Sequence, residues 1–274
     1  MKNYLFKLGK KAKKASIEIV KTKKKDKVLR DYCNLILKNQ LKIISENKKD
    51  LEKAKKQKLK ENLIKRLSID KKKLLQIINS IKMIIKFKDP VNITLNKWKR
   101  PSGLKIKKVT TSIGVIAVIY ESRPNVTSDV ASLCFKSGNP VILKGGSEAY
   151  HSNKFFISLF RKALIKNKVN KDYVQFIDYK SRKVVDFLLT KMANFIDVII
   201  PRGGKNLVKK IQDLSKIPVI GHLEGICHTY IDNNADLSMS KKITLNAKLR
   251  NTAICGATET ILIHQKSLKK FCNP

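Results

Sequence analysis

Residues 115–153 read VIAVIYESRPNVTSDVASLCFKSGNPVILKGGSEAYHSN. Two short apolar runs rich in β-branched residues, 113–120 and 141–144, flank a segment at 128–137 that has helical spacing of its apolar residues. Strands that are apolar on both faces and are joined through a helix are typical of a parallel sheet covered on both sides. This stretch therefore predicts a strand, a crossover helix and a second, parallel strand.

The same alternation continues toward the carboxyl terminus. The further strand candidates are residues 174–177, 196–200, 219–220, 228–231 and 259–264, and the further helix candidates are residues 147–166, 181–191, 204–214 and 238–248. Repeated alternation of this kind predicts an α/β fold with a Rossmann-type, mainly parallel sheet and helices on each face.

The part of the chain before this sheet has a different pattern. As far as Asp89-Pro90, apolar residues recur at helical spacing among many lysines, which predicts amphipathic helices. The segment WKRPSGL at 98–104 is typical of a turn that leads into a strand rich in Val, Thr and Ile. We therefore expect a hairpin at about residues 98–112.

Ligands bind to parallel sheets in the loops that follow the carboxyl ends of the strands. These loops read YESRPNVTSD, KGGSEA and PRGGKN, and the last two bring backbone amides and basic side chains to a helix N-terminus, a favourable place for a phosphate. Neither loop matches the Walker A or GxGxxG pattern, so a tight strand-to-helix turn remains the alternative. The candidate cofactor-binding residues are Lys144, Gly145, Gly146, Ser147, Glu148, Pro201, Arg202, Gly203 and Gly204.

The composition is strongly basic. The 274 residues include 60 Lys and Arg against 21 Asp and Glu, which gives a formal charge of +39. Nucleic-acid binding is one interpretation of such a charge, but most of it comes from lysine and no nucleic-acid recognition motif accompanies it. A lysine-rich bias on solvated faces is the better explanation, so we expect no specific nucleic-acid partner.

The apolar runs are too short to span a membrane and the N-terminus does not resemble a secretory signal, so we expect a cytoplasmic protein without membrane contact.

The five cysteines are odd in number and widely spaced, which predicts reduced thiols. Cys255 lies beside Gly256 just before a predicted strand, where a small neighbour leaves room for a substrate. It is the candidate nucleophile, with a buried core cysteine as the alternative. The spacing of His222, Cys227 and His228 fits no zinc pattern, and we expect no metal.

Four strings together, residues 115–153, PRGGKNLV at 201–208, IPVIGHLEGICHTYID at 217–232 and NAKLRNTAICGATETILIH at 246–264, resemble the gamma-glutamyl phosphate reductases of the aldehyde dehydrogenase superfamily. The resemblance runs over the whole chain as the N-terminal portion of such an enzyme. It implies an aldehyde-dehydrogenase-like fold with a cofactor-binding domain at 1–228, which includes an oligomerisation hairpin, and the beginning of a catalytic α/β domain at 229–274. More of the catalytic domain is expected after residue 274, to cover apolar surface that this chain would otherwise expose.

The resemblance also implies a reaction, the NADPH-dependent reduction of L-glutamate 5-phosphate to L-glutamate 5-semialdehyde and phosphate in proline biosynthesis. Cys255 matches the catalytic cysteine, Asn125 an oxyanion-hole residue and Lys144 a residue that contacts the cofactor ribose. His222, two residues before Glu224, takes the place of a glutamate base. A homo-oligomer and coupling with glutamate 5-kinase are further expectations. The alternatives are a catalytically inactive fragment of such an enzyme and a basic nucleic-acid-binding protein.

Overall fold

The computed structural model describes residues 1–18, 20–121, 123–181, 183–221, 223, 225–252 and 254–272. Internal contacts divide the chain into two units, Met1–Gly221 and His222–Pro274. The boundary expected after residue 228 would fall inside a strand, Cys227–Ile231. Within the described residues, no helix is both long enough and apolar enough to cross a membrane.

Five amphipathic helices precede the sheet of the first unit, as the spacing of apolar residues predicts. They are α1 (Lys2–Ile17), α2 (Thr22–Lys38), α3 (Gln40–Lys56), α4 (Glu61–Leu67) and α5 (Lys71–Lys86). The helix α5 begins after Asp70, whose side chain accepts a hydrogen bond from the backbone N–H of Lys73. This is the usual N-cap arrangement, in which a short acidic side chain satisfies one of the free amides of the first turn.

The central sheet is parallel and has the predicted crossover helices. Its strands are β3 (Ile116–Tyr120), β4 (Val141–Lys144), β5 (Val174–Phe176) and β6 (Val198–Arg202), in the order β5-β4-β3-β6. The helices are α6 (Pro124–Lys136), α7 (Tyr150–Lys166), α8 (Lys183–Lys191) and α9 (Lys205–Leu214), and 3-10 turns lie at Ser147–Ala149 and Lys171–Tyr173.

Alternate residues of β3 contribute to two different hydrophobic cores. Ile116, Val118 and Tyr120 pack in a core with α2, α5, α6 and α7, while Ala117 and Ile119 pack in a second core with α1 and α8. Successive side chains of a strand point to opposite faces, so an entirely apolar strand requires cover on both sides. The predicted α/β fold class with a doubly covered parallel sheet is confirmed.

Most predicted strands lie within two residues of the observed bounds at each end, and two predictions differ more from the structure. The strand expected from residue 113 begins at Ile116, because the amides of Ile113 and Gly114 donate to Asn139 Oδ1 and not to a strand, and Gly114 has a φ of 124°. The strand expected at 219–220 is reduced to an isolated bridge between Val219 and Ile199.

The predicted hairpin is present and is longer on its first side than expected. Strands β1 (Thr94–Lys99) and β2 (Lys105–Val109) pair in antiparallel fashion across a turn at 100–104. Most of its side chains are exposed, including Leu95, Trp98 and Leu104. Its expected part in oligomerisation stays a prediction.

The second unit is small. Strand β7 (Cys227–Ile231) pairs in parallel with β8 (Thr258–Ile263), and α10 (Leu237–Leu249) connects them; a 3-10 turn at Gln265–Ser267 and α11 (Leu268–Cys272) follow. Among its described residues, Ile231 and Ala257 are the buried apolar ones. Many of its other apolar side chains are exposed, among them Ile226, Ile243, Leu249 and Ile261.

Candidate active site

The two glycine-bearing loops start from neighbouring strands at the same edge of the sheet. Ile119 of β3 is in register with Lys144 of β4 on one side and with Pro201 of β6 on the other. The strand order reverses at β3, since the chain continues to β4 and β5 on one side and returns to β6 on the other. Such a reversal opens a crevice at the carboxyl ends of the strands, where doubly wound sheets bind ligands.

Lys144 is the last residue of β4 and its side chain is buried. Its Nζ donates to the carbonyl oxygen of Gly145 at 2.9 Å. Burial lowers the pKa of Lys144, and the nearby carboxylate of Glu148 opposes that shift. The structure therefore places the side-chain nitrogen of Lys144 at the beginning of the first loop. The predicted residues Ser147 and Glu148 follow in the 3-10 turn, where the Ser147 hydroxyl donates to Glu148 Oε2 at 3.2 Å.

A buried chain of hydroxyl and amide groups lies behind the first loop. Thr127 donates its hydroxyl hydrogen to Asn153 Oδ1 at 2.7 Å, so the Tyr120 hydroxyl is the donor in its 2.6 Å bond with Thr127. Asn153 Nδ2 faces Gly145 so closely that a Cβ at position 145 would collide with it. This amide nitrogen is buried without a hydrogen-bond partner among the residues that the structure describes.

The N-terminus of α7, which follows the first loop, is already capped by a residue from the helical segment. Asp50 of α3 is fully buried and accepts from the backbone amides of His151 and Ser152 at 3.0 and 2.8 Å, and from the Ser152 hydroxyl at 2.7 Å. A carboxylate at this place satisfies amides that would otherwise attract a phosphate. The anion-binding role that the sequence suggests for the first loop therefore does not extend to these two amides.

The second loop also has a carboxylate at its helix. Glu121, the residue after β3, accepts a hydrogen bond from the Gly204 amide through Oε2 at 2.9 Å, at the start of α9. A Cβ on Gly203 would come within 2.6 Å of the same oxygen, so the approach depends on a glycine there. Glu121 is exposed. Sequence reasoning did not select it, although a charged residue directly after a buried strand, at the edge where ligands bind, is a usable signal.

Asn125 lies in the first turn of α6 and is exposed. Its Nδ2 is 3.5 Å from Asp129 Oδ2, one helical turn further on. Burial raises the pKa of Asp129, and the amide of Asn125 and the charge of Arg202 oppose that shift. The structure thus places the exposed Asn125 amide at the same edge as both loops, hydrogen-bonded to a carboxyl group that holds its proton more strongly than usual.

Cys255 is exposed on a turn between residues 254 and 257, which the Ala257 amide closes by donating to the carbonyl of Ile254 at 3.0 Å. Two other cysteines, both in the first unit, differ from it. Burial raises the pKa of the Cys33 thiol to about 11 and of the Cys134 thiol to about 12. A nucleophilic cysteine needs access and a thiolate, so the core interpretation applies to Cys33 and Cys134 and not to Cys255. The residues His222 and Glu224 lie outside the described residues.

A groove of about 520 Å³ follows the lysine-rich face of α1 and is lined by Asn3, Phe6, Lys7, Lys10, Lys11 and Lys14. None of the predicted site residues lines it. The four lysines that line this groove are therefore not among the predicted site residues.

Comparison with solved structures supports the fold assignment. The chain superposes on gamma-glutamyl phosphate reductase from Thermotoga maritima with a TM-score of 0.90 and 34% sequence identity, over 97% of this chain and 65% of that one. The enzyme of the same name from Saccharomyces cerevisiae gives a TM-score of 0.72 and 35% identity, over 95% of this chain and 65% of that one.

Curated proteins give the same pattern. A gamma-glutamyl phosphate reductase from Bartonella quintana is 42% identical over 266 residues, which are 96% of this chain and 65% of that protein. One from a Sulfurihydrogenibium species is 41% identical over 272 residues, 98% of this chain and 61% of its own length. The chain thus spans less than two thirds of these relatives. The aldehyde dehydrogenase family matches residues 10–273, and the chain belongs to that family.

Proposed function

We propose that the protein containing this chain reduces L-glutamate 5-phosphate to L-glutamate 5-semialdehyde and phosphate, with Cys255 as the nucleophile. The relatives described above, which carry the name gamma-glutamyl phosphate reductase, support the proposal. The structural observation that carries it is the accessible thiol of Cys255 on an open turn. An accessible cysteine that forms a covalent intermediate divides one difficult acyl transfer into two easier steps.

In the first step the Cys255 thiolate attacks the acyl carbon of the acyl phosphate. A carbon–sulfur bond forms, the carbon–oxygen bond to phosphate breaks, and phosphate leaves with the electron pair. The carbonyl oxygen carries negative charge in the transition state, and we assign the exposed Asn125 amide to its stabilisation. Phosphate is a good leaving group, so this step needs no general base that activates water.

The pyridine nucleotide cofactor is assigned to the crevice between the two glycine-bearing loops. The groups there fit such a ligand: a buried amine at Lys144, an exposed hydroxyl at Ser147, and helix amides at Gly204 whose present acceptor is an exposed side chain. We propose NADPH, for which Lys144, Gly145, Gly146, Ser147, Glu148 and Pro201 to Gly204 are the binding residues. The chemistry that NADPH supplies when bound is a hydride for the thioester carbon.

The hairpin supports a further part of the proposal, that the full-length protein is a homo-oligomer. Leu95 and Leu104 are 59% and 60% exposed, and Trp98 is 43% exposed. Large apolar side chains exposed on a hairpin are typical of a protein interface. Trp98→Lys would then lower the molar mass measured by light scattering, while Lys99→Glu on the same strand serves as a control. Coupling with glutamate 5-kinase and a cytoplasmic location remain expectations.

The reaction is tested in reverse, with L-glutamate 5-semialdehyde, phosphate and NADP+, by following NADPH formation in a protein extended through the length of its relatives. Cys255→Ala should abolish NADPH formation, whereas Cys272→Ala should retain it. Asn125→Ala should lower kcat by about 100-fold, the loss expected for one oxyanion-hole donor. Full activity of Cys255→Ala would refute the assignment of the nucleophile.

A further inference from the structure

A second thiol of the same unit lies next to the backbone of Cys255. Cys227 is the first residue of β7, and its Sγ is 3.3 Å from the carbonyl oxygen of Cys255. The covalent path from that oxygen to the Cα of Cys255 is two bonds, so the Cys227 Sγ lies within about 6 Å of this Cα. The two cysteines are therefore close in space although 28 positions separate them in sequence.

The backbone holds the two segments together. Gly225, two residues before Cys227, packs so closely against the Cys255 carbonyl that a Cβ at position 225 would collide with it. On the other side, Cys227 is paired with Thr258 in the ladder between β7 and β8. A close glycine contact and a strand pairing thus hold the segments of Cys227 and Cys255 next to each other.

The turn that carries Cys255 has room to adjust. A Cβ on Gly256 would meet nothing within 4 Å, so open space surrounds the residue that follows Cys255. A disulfide requires its two Cα atoms at about 4.4 to 6.8 Å and its Sγ atoms at bonding distance. The bond requires a rotation of the Cys255 side chain and a movement of this turn that brings the two sulfurs together.

Access distinguishes this pair from the two buried thiols of the first unit. Cys255 is exposed and Cys227 is partly exposed, whereas Cys33 and Cys134 are buried in the first unit. Cys272, at the end of α11, is also exposed and belongs to the same unit as the pair. It provides an internal control, because a reaction governed by exposure alone would include it.

We propose that Cys227 is a resolving thiol for Cys255, and that the two form a reversible intramolecular disulfide when the protein meets hydrogen peroxide. The Cys255 thiolate attacks one peroxide oxygen, the O–O bond breaks, and Cys255 becomes a sulfenic acid with release of hydroxide, which takes up a proton as water. The Cys227 thiolate then attacks the sulfenic sulfur, an S–S bond forms, and the S–O bond breaks, so that the sulfenic oxygen leaves as hydroxide and takes up a proton as water. A dithiol reductant restores both thiols by exchange.

The bond itself is a property of the two thiols. Its consequence, a reversible loss of activity and protection of Cys255 from higher oxidation, rests on the proposed function. Sulfinic and sulfonic acids of cysteine are not restored by dithiols, so a nearby resolving thiol protects a nucleophile that would otherwise be lost.

The test is oxidation of the full chain with hydrogen peroxide, followed by trypsin digestion without reductant and mass spectrometry. Cleavage after Lys216, Lys241, Arg250 and Lys266 places the two cysteines in separate peptides, 217–241 and 251–266. We expect these peptides to appear linked, with the loss of two hydrogen atoms, and to separate after treatment with dithiothreitol. Linkage of peptide 251–266 to the peptide of Cys272, or no linkage of any kind, would overturn the proposal.

Two variants complete the experiment. Cys227→Ser keeps a hydrogen-bond donor next to the Cys255 carbonyl. In this variant Cys255 should be oxidised further, to sulfinic and sulfonic acid. Cys272→Ser is the control and should give the same amount of linked peptide as the parent chain. Circular dichroism spectra that match the parent chain show that each variant is folded. If Cys255 stays equally protected in Cys227→Ser, the proposal is wrong. If the disulfide forms but the full-length protein has no reductase activity, the proposed function is wrong and the proposed pairing of Cys227 with Cys255 still holds.

Discussion

Glu121 Oε2 accepts a hydrogen bond from the backbone amide of Gly204 at 2.9 Å, at the point where the strand order of the central sheet reverses. The amide belongs to the N-terminus of α9, which carries partial positive charge and favours an anion. A carboxylate of the protein itself therefore stands where the phosphates of a dinucleotide would find a donor. Because Glu121 is exposed, its side chain has room to turn away.

This relationship predicts that Glu121→Gln binds NADPH more tightly than the parent chain. The substitution removes a negative charge from the proposed cofactor crevice, and a charge at a helix N-terminus contributes about 0.3 to 1 kcal/mol, or roughly a two- to fivefold change in Kd. The measurement is a fluorescence titration with NADPH at low salt. Glu52→Gln, an exposed glutamate of α3, is the control and should leave Kd unchanged. Equal or weaker binding by Glu121→Gln would show that the carboxylate does not compete with the cofactor.

Asp50 should be important for stability because it joins α3 to the first turn of α7. Asp50→Ala leaves two backbone amides and the Ser152 hydroxyl without their buried acceptor. We expect a loss of about 2 to 4 kcal/mol in the free energy of unfolding. Urea denaturation measures it, with the exposed Asp213→Ala as the control. A loss below 1 kcal/mol, on the order of an exposed surface change, would contradict the assigned cap.

The lowered pKa of Asp89 predicts how the free energy of unfolding changes as the pH falls. Burial by itself raises the pKa of this carboxyl, but hydrogen bonds from the Lys25 amine, the Thr22 hydroxyl and the Val91 amide outweigh it and hold the pKa below its usual value. A lowered pKa in the folded state stabilises the protein above the unfolded pKa, near 4, and this contribution is lost as pH falls through the lower, folded value.

The corresponding experiment compares Asp89→Asn with the parent chain by urea denaturation. At neutral pH the variant should be less stable by about 1.5 to 3 kcal/mol, the range for hydrogen bonds to a charged group. The difference should shrink as the pH is lowered below about 4, since the parent carboxyl becomes neutral as well. A difference that stays constant between neutral pH and about pH 3 would show that the pKa of Asp89 is not lowered.

Thiol accessibility gives a further prediction. Iodoacetamide should alkylate Cys255 and Cys272 in the folded chain, because both are exposed, and should reach Cys134 only after unfolding, because burial raises the pKa of that thiol to about 12. Mass spectrometry of the alkylated peptides, with and without urea, shows which cysteines react in the folded chain and which react only after unfolding. Alkylation of Cys134 at the same rate as Cys255 in the native chain would contradict the described burial.

Much of the sheet could be predicted from the sequence, because β3 and β4 are apolar on both faces and such strands have few alternative environments. The strand β4 begins and ends at the predicted residues, Val141 and Lys144. The position of both glycine-bearing loops at one edge of the sheet followed from the rule for parallel sheets, and the shared register of Lys144 and Pro201 with Ile119 agrees with it.

What the sequence did not reveal depends on contacts between distant residues. Glu121 meets Gly204 across 83 positions, and Asp50 caps α7 across more than 100. On its own helix, Asp50 is one charged residue among many, and its burial depends on α7 packing there. From the sequence, Cys227 is a candidate only for a metal site that its spacing does not fit, because its distance from Cys255 depends on the pairing of β7 with β8.

The most direct test of Cys255 as the nucleophile is acylation in the absence of NADPH. Incubation with acetyl phosphate, a small acyl phosphate, followed by acid quenching and mass spectrometry, should place one acetyl group on the peptide 251–266, removable by hydroxylamine and absent from Cys255→Ala. An acetyl group on another cysteine with peptide 251–266 unmodified would contradict the account.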